Sequence, residues 1–168
     1  MVGGIFGVGS GYTIVSIMKK FFYIIINPCR KLYWFVFRPH TTGVKCLIEY
    51  NNKFLLIRNS YGIKHWTFPG GSVEKGELPS TAAQREAREE VGIELTPQLI
   101  GQYSSNREFK QDTVHCFYGK VTSDYFKIDN DEIMEAAWFL ETNIPPTPVS
   151  SAAVTKVLNL YKSFTLIP

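Results

Sequence analysis

Apolar positions along the chain fall into short runs, set apart by turn residues, around one long helical stretch. Val44–Tyr50 and Phe54–Ile57 are two such runs. Between them lies Asn51-Asn52, and asparagine tolerates the left-handed backbone of a tight turn, so the pair predicts a β-hairpin. Trp66–Pro69 reads as a short strand stopped at Gly70-Gly71. Leu99–Ser104, Val114–Val121 and Glu135–Leu140 read as further strands, the last two rich in β-branched or aromatic residues. Ser80–Val91 is helical in pattern, with Ser or Thr at its start, alanines inside and Gly92 as the stop. Beyond the proline-rich Ile144–Pro148, a last helix is predicted over Ser150–Tyr161. Strands interleaved with helices place the chain in the α/β class.

The first 40 residues break this pattern and form a leader rich in Gly, Ile and aromatics, ahead of a domain over 41–168. Val2–Met18 is uncharged, but it carries five glycines and is stopped by Lys19-Lys20. That falls short of the ~20 apolar residues of a spanning helix. It also lacks the positive start and cleavage site of a secretory signal. Residues 19–38 mix cations with aromatics and hold no acid. Such a segment suits either an interfacial position on an anionic membrane or a helix packed on the domain. Met18 is an alternative start.

Composition then narrows the function. At 168 residues, 45% hydrophobic and 20% charged, the chain has the balance of one globular domain rather than of a disordered tail. A net charge of +3 gives no case for specific nucleic-acid binding. Its distribution is uneven: the first 48 residues hold six cations and no acid, the remainder twelve cations against fifteen acids. Cys29, Cys46 and Cys116 are far apart and lack a CxxC spacing. This points to free thiols in a reducing cytoplasm, Cys46 and Cys116 acting as small apolar side chains, with membrane association through 19–38 as the alternative.

The chemistry concentrates in Gly71–Glu77 and Arg85–Ile93. At about 100° per residue, Glu86, Glu89 and Glu90 fall at about 0°, 300° and 40°, one narrow helix face. Like charges so placed repel by about a few tenths of a kcal/mol per pair. Arg85, four residues before Glu89, can pair with it, but one cation does not balance three anions. A divalent cation does, and clustered carboxylates are the hard oxygen ligands that Mg²⁺ takes while it also bridges phosphate oxygens. Gly70 and Gly71 let the backbone come close to a ligand. The loop through Gly76 brings Glu77 back towards the carboxylates. Ala83, Ala87 and Val91 make the opposite face small and apolar, fit to dock on a sheet.

Glycine, a glutamate six residues on, Arg-Glu, a Glu-Glu pair, then Gly-Ile match the Nudix box G-x5-E-x7-R-E-U-x-E-E-x-G-U, with Ala87 in the first aliphatic slot. The chain resembles Nudix hydrolases over roughly residues 41–141. Trp66–Gly71 is similar to the family's strand before the box, and Asp131–Phe139 to its late acidic segment. The resemblance implies an α/β/α sandwich with a mixed sheet, and attack of a metal-activated water on a diphosphate. It assigns Glu86, Glu89 and Glu90 as Mg²⁺ ligands (Mn²⁺ as a substitute), with the Gly71 carbonyl and Glu135 added. Arg85 would orient the glutamates and Glu77 would support the loop. For the general base, which varies across the family, the resemblance favours Glu86, with Glu89 or Glu135 as alternatives. Arg58, Arg107 and Lys110, the latter two in an expected loop, are the candidates for substrate phosphate.

Marks of several subfamilies are missing. There is no SQPWPFP-like run. Glu108 and Phe109 stand where ADP-ribose hydrolases often carry a proline, and the Phe68–Gly71 segment lacks the F-P-Q-G-G form of RNA and dinucleoside-polyphosphate hydrolases. The generic MutT-like type remains, acting on nucleoside triphosphates or nucleotide-sugar-like diphosphates. The alternatives are a membrane-peripheral hydrolase of lipid-linked diphosphates and a non-catalytic nucleotide-binding module.

Overall fold

The computed structural model describes residues 40–62, 64–107 and 110–166. The leader, and with it the membrane expectation for 19–38, lies outside them. Six strands, β1 (His40–Tyr50), β2 (Lys53–Asn59), β3 (Trp66–Thr67), β4 (Gln98–Arg107), β5 (Lys110–Lys120) and β6 (Ile133–Leu140), form one sheet. Among the described residues two α-helices accompany it, α1 (Pro79–Val91) and α2 (Ala152–Thr165). Among the described residues no helix is long and apolar enough to cross a membrane.

The hairpin forms where the asparagines predict it. Asn51 and Asn52 both take positive φ, 46° and 61°, and Tyr50 faces Lys53 across the turn. Beyond it the two strands part. β2 pairs antiparallel with β6 from Lys53↔Leu140 to Asn59↔Ile133, while β1 pairs in parallel with β5 from His40↔Gln111 to Glu49↔Lys120. Residues 66–71 fill the gap between β1 and β2. Trp66 and Thr67 pair with Arg58 and Ile57 of β2. Pro69 and Gly71 accept the amides of Cys46 (2.8 Å) and Val44 (2.9 Å) of β1. The sheet order is β3-β2-β1-β5-β4, with β6 on β2. Parallel and antiparallel pairs thus share one sheet, as expected.

Alternation along the central strands fills both faces of that sheet. Val44, Cys46, Ile48, Leu55 and Ile57 pack with Ala82, Ala83, Ala87 and Val91 of α1. Leu47, Phe54, Leu56, Phe68 and Cys116 pack with Val154 and Val157 of α2. Helix, sheet and helix make the three layers of the predicted sandwich. Each buried leucine-sized side chain contributes about 1.5–3 kcal/mol, so these two clusters hold the sheet. Cys46 and Cys116 are free and buried, and burial pushes both thiols up, Cys116 to about 12. They are inert core residues.

Two boundaries differ from the pattern. Helix α1 begins at Pro79 behind Leu78, which makes no side-chain cap, rather than behind Ser or Thr. Proline suits the first helical position because its φ is preset and its missing N–H would have no partner there. Arg107 and Lys110 were expected in a loop, but they end β4 and begin β5. A ladder uses backbone groups and does not require apolar side chains, so the polar run there gave no strand signal. Their side chains lie outside the described residues.

Candidate active site

The site grows from the gap-filling segment and the first face of α1. Gly70 has φ 134°, and a Cβ there would lie 2.3 Å from the Val44 carbonyl oxygen. A Cβ on Gly71 would lie 2.5 Å from Glu86 Oε1. Gly70 therefore requires glycine, whereas at Gly71 an added methyl would displace the Glu86 carboxylate, which the bare backbone abuts. Gly92 closes the helix with φ 66°, its amide donating to the Arg88 carbonyl at 3.0 Å, as predicted for the stop.

Arg85 is the hub of the acids. Its Nε and Nη2 donate to the two carboxylate oxygens of Glu77 at 3.0 and 3.1 Å. Its Nη1 reaches Glu86 at 2.9 Å and Glu89 at 3.1 Å, and Nη2 also donates to the Ser72 carbonyl at 3.0 Å. One guanidinium so holds three carboxylates and the loop. Glu77 also accepts the Glu74 amide at 2.9 Å, and its bonds to Arg85 and to that amide hold its carboxyl below the usual range.

Glu90 is different. It is 7% exposed, and Oε2 accepts the Gly70 amide at 2.7 Å. Burial pushes its carboxyl up to about 7, with Lys45 and the Gly70 amide opposing and Glu86 and Glu132 adding to the shift. Burial also raises Glu86, against the pull of Arg85. Glu89 is the exposed member of the three, its side chain 55% accessible. The Gly71 carbonyl accepts the Val44 amide, which leaves its second lone pair.

Not every predicted residue joins this group. Glu135 lies on β6 opposite Arg58, and its ion pair at 3.0 Å is with Arg58, not with the α1 carboxylates. The acid of that segment whose charge reaches Glu90 is Glu132. Arg58 also donates to the Lys64 carbonyl at 3.1 Å and stacks over Trp66 at 5.4 Å. Pattern reasoning missed Lys45, whose Nζ donates to the carbonyls of Phe68 (2.7 Å) and Gly70 (3.1 Å) beside the acids. Its signal was a single cation inside the apolar run of β1.

Among the described residues no three His, Cys, Asp or Glu side chains converge as a ready metal cage. The donor set still fits a hard divalent cation. Glu86 and Glu90 are carboxylates whose burial is not offset by their partners, and the absence of a side chain at Gly71 lets the Glu86 carboxylate lie against the backbone.

Residues 39–156 match the NUDIX domain. The chain belongs to the Nudix family. Among curated Nudix relatives, the NAD-capped RNA hydrolase NudC of Pseudomonas aeruginosa is 34% identical over 92 residues, 54% of this chain and 32% of that protein. The asymmetrical bis(5'-nucleosyl)-tetraphosphatase of Mus musculus is 55% identical over 48 residues, 29% of this chain and 33% of that protein. The chain thus spans about a third of the length of either relative. The crystal structure of the MutT protein from Methanosarcina mazei Go1 superimposes with a TM-score of 0.65 at 26% identity, covering 77% of this chain and 95% of that one.

Proposed function

We propose that residues 41–168 form a Mg²⁺-dependent pyrophosphohydrolase that cleaves the diphosphate bridge of a nucleoside triphosphate or a nucleotide-sugar-like compound. The observation that carries this reading is the complete set of box acids held against Gly70-Gly71: Glu86 and Glu90 abut that backbone, and Arg85 ties Glu77, Glu86 and Glu89 together. The names of the curated relatives, which speak of NAD-capped RNA and of a bis-nucleosyl tetraphosphate, support a nucleotide-type substrate.

Glu86, Glu89 and Glu90, with the Gly71 carbonyl, would hold the cation. When bound, it supplies charge neutralisation of the diphosphate and a more acidic water. Glu86 would accept the proton of the attacking water, the role the resemblance implies for it. Arg85 keeps the acids in place, and Glu77 anchors Arg85 to the loop. Arg58 would meet substrate phosphate by exchanging its partly exposed pair with Glu135; Arg107 and Lys110 remain candidates for the same contact.

The test is a screen incubated with and without Mg²⁺ and then stopped, phosphate being freed from the products in a second, separately supplied step. Pyrophosphatase serves for nucleoside triphosphates and alkaline phosphatase for capped diphosphates, while phosphate from isoprenyl diphosphates is detected directly. The screen covers nucleoside triphosphates, nucleotide sugars, ADP-ribose, dinucleoside polyphosphates and isoprenyl diphosphates. Metal-dependent release from one of the nucleotide classes is expected. Release from isoprenyl diphosphates alone, or from none of the panel, overturns the reading.

A further inference from the structure

We propose that Lys45 is a positioning residue of the hydrolytic site, its ammonium clamping the Gly70-Gly71 backbone on which Glu86 and Glu90 rest. This inference rests on the hydrolase reading above for its kinetic and Mn²⁺ parts; its exchange part stands on the geometry alone.

Four successive carbonyls, from Phe68 to Gly71, are held from β1. Those of Pro69 and Gly71 face β1 and take the amides of Cys46 and Val44. Ladder pairing with β2 extends only over Trp66 and Thr67 and does not reach Phe68 or Gly70. The ladder therefore leaves two acceptors over, and the Lys45 ammonium takes both, at 2.7 and 3.1 Å.

The clamp sits where the backbone most needs one. Gly70 occupies a φ closed to other residues, and glycine loses the most conformational freedom on being fixed. Two box acids depend on the position of this peptide. The Gly70 amide holds Glu90 at 2.7 Å, and the Gly71 Cα packs against the Glu86 carboxylate. A shift of the Gly70-Gly71 peptide would move the acids' backbone support and the Gly71 carbonyl together. Lys45 itself is half-buried, and its two carbonyl bonds offset the hydration it gives up there. Methionine would fit the stem but offer neither the charge nor the donors.

Lys45→Met and Lys45→Arg in the full chain test the assignment, with three readouts. In Lys45→Met, amide hydrogen exchange at Gly70 and Gly71 is expected to quicken by about tenfold or more, while β2 and β6 keep their protection. Mn²⁺ alone, followed by electron paramagnetic resonance, is expected to bind several-fold more weakly, because Gly71 and the acids are no longer held. With a substrate that the screen identifies, kcat is expected to fall by about tenfold or more while KM moves by less than about threefold, the mark of misplacement rather than of lost substrate binding. Lys45→Arg, which keeps the charge and the donors, is expected to recover most of each. Exchange at Gly70 and Gly71 equal to wild type overturns the proposal. So does a uniform rise in exchange over the whole sheet, which would make Lys45 a general packing residue. The exchange readout needs neither metal nor turnover, so a chain that hydrolyses nothing in the screen can still confirm or refute the clamp.

Discussion

Two buried glutamates stand in this molecule in opposite circumstances. Glu49, 5% exposed near the hairpin turn, accepts the hydroxyls of Tyr118 (3.0 Å) and Tyr161 (2.9 Å), with Lys120 at 3.5 Å. Glu90, 7% exposed at the end of α1, accepts one backbone amide and is pushed up to about 7 by its burial. Equal burial therefore says little about role. The number of donors aimed at the carboxylate separates an acid that is part of the scaffold from one that keeps capacity for a ligand.

That contrast can be broken by substitution. Glu90→Gln keeps the shape and the bond from Gly70 but removes the charge. Its kcat for a nucleotide substrate is expected to fall by about 10²–10³-fold, while the thermal midpoint holds or rises. A fully active Glu90→Gln enzyme would remove this acid from the site. Glu49→Ala should invert the result. It leaves two tyrosine hydroxyls without their acceptor, so urea unfolding is expected to show a loss of about 2–3 kcal/mol with kcat changed little. A folded, equally stable variant would mean that the pocket rehydrates freely.

Gly71→Ala sharpens the comparison on the side of the site. The added methyl meets the Glu86 carboxylate at 2.5 Å, where the side chain can swing aside, so stability should drop by about 1 kcal/mol or less while kcat falls by about tenfold. Unchanged kinetics would show that the Glu86 position is not tied to this backbone. The smallest effect concerns pH. Burial and then the bond to Glu49 push the Tyr118 hydroxyl up to about 12, above the ~10 of an unfolded tyrosine. The folded state holds this proton more tightly. Its stabilising share is thus intact below pH ~10 and is lost as pH rises towards 12. Chemical denaturation across that window should show the decline for the wild type and a flatter one for Tyr118→Phe; parallel curves would refute the coupling.

Legibility in the sequence followed the range of the interaction. The helix face, the glycine stop at Gly92 and the Asn51-Asn52 turn are set by residues a few positions apart, and local pattern exposes them. The Arg85–Glu89 pair at i,i+4 was legible for the same reason. Glu49 was not, because Tyr118 and Tyr161 stand 69 and 112 residues away. Lys45 escaped because its partners are backbone carbonyls, which every residue carries and no pattern marks. Glu135 was drawn to the metal group by its acidity, whereas strand register placed it across from Arg58. The parting of β1 and β2, which admits residues 66–71, is likewise a property of the whole sheet and left no mark on either strand.

The parallel ladder between β1 and β5 has a consequence for the order of assembly. His40 pairs with Gln111 and Glu49 with Lys120, so contacts that span about seventy positions must close before the centre of the sheet is complete. Closing such spans is slow compared with helix or hairpin formation. During synthesis, the hairpin and α1 emerge from the ribosome well before β5, and a nascent chain would carry its acidic helix on a half-built sheet with the apolar flank of β1 still open to chaperones.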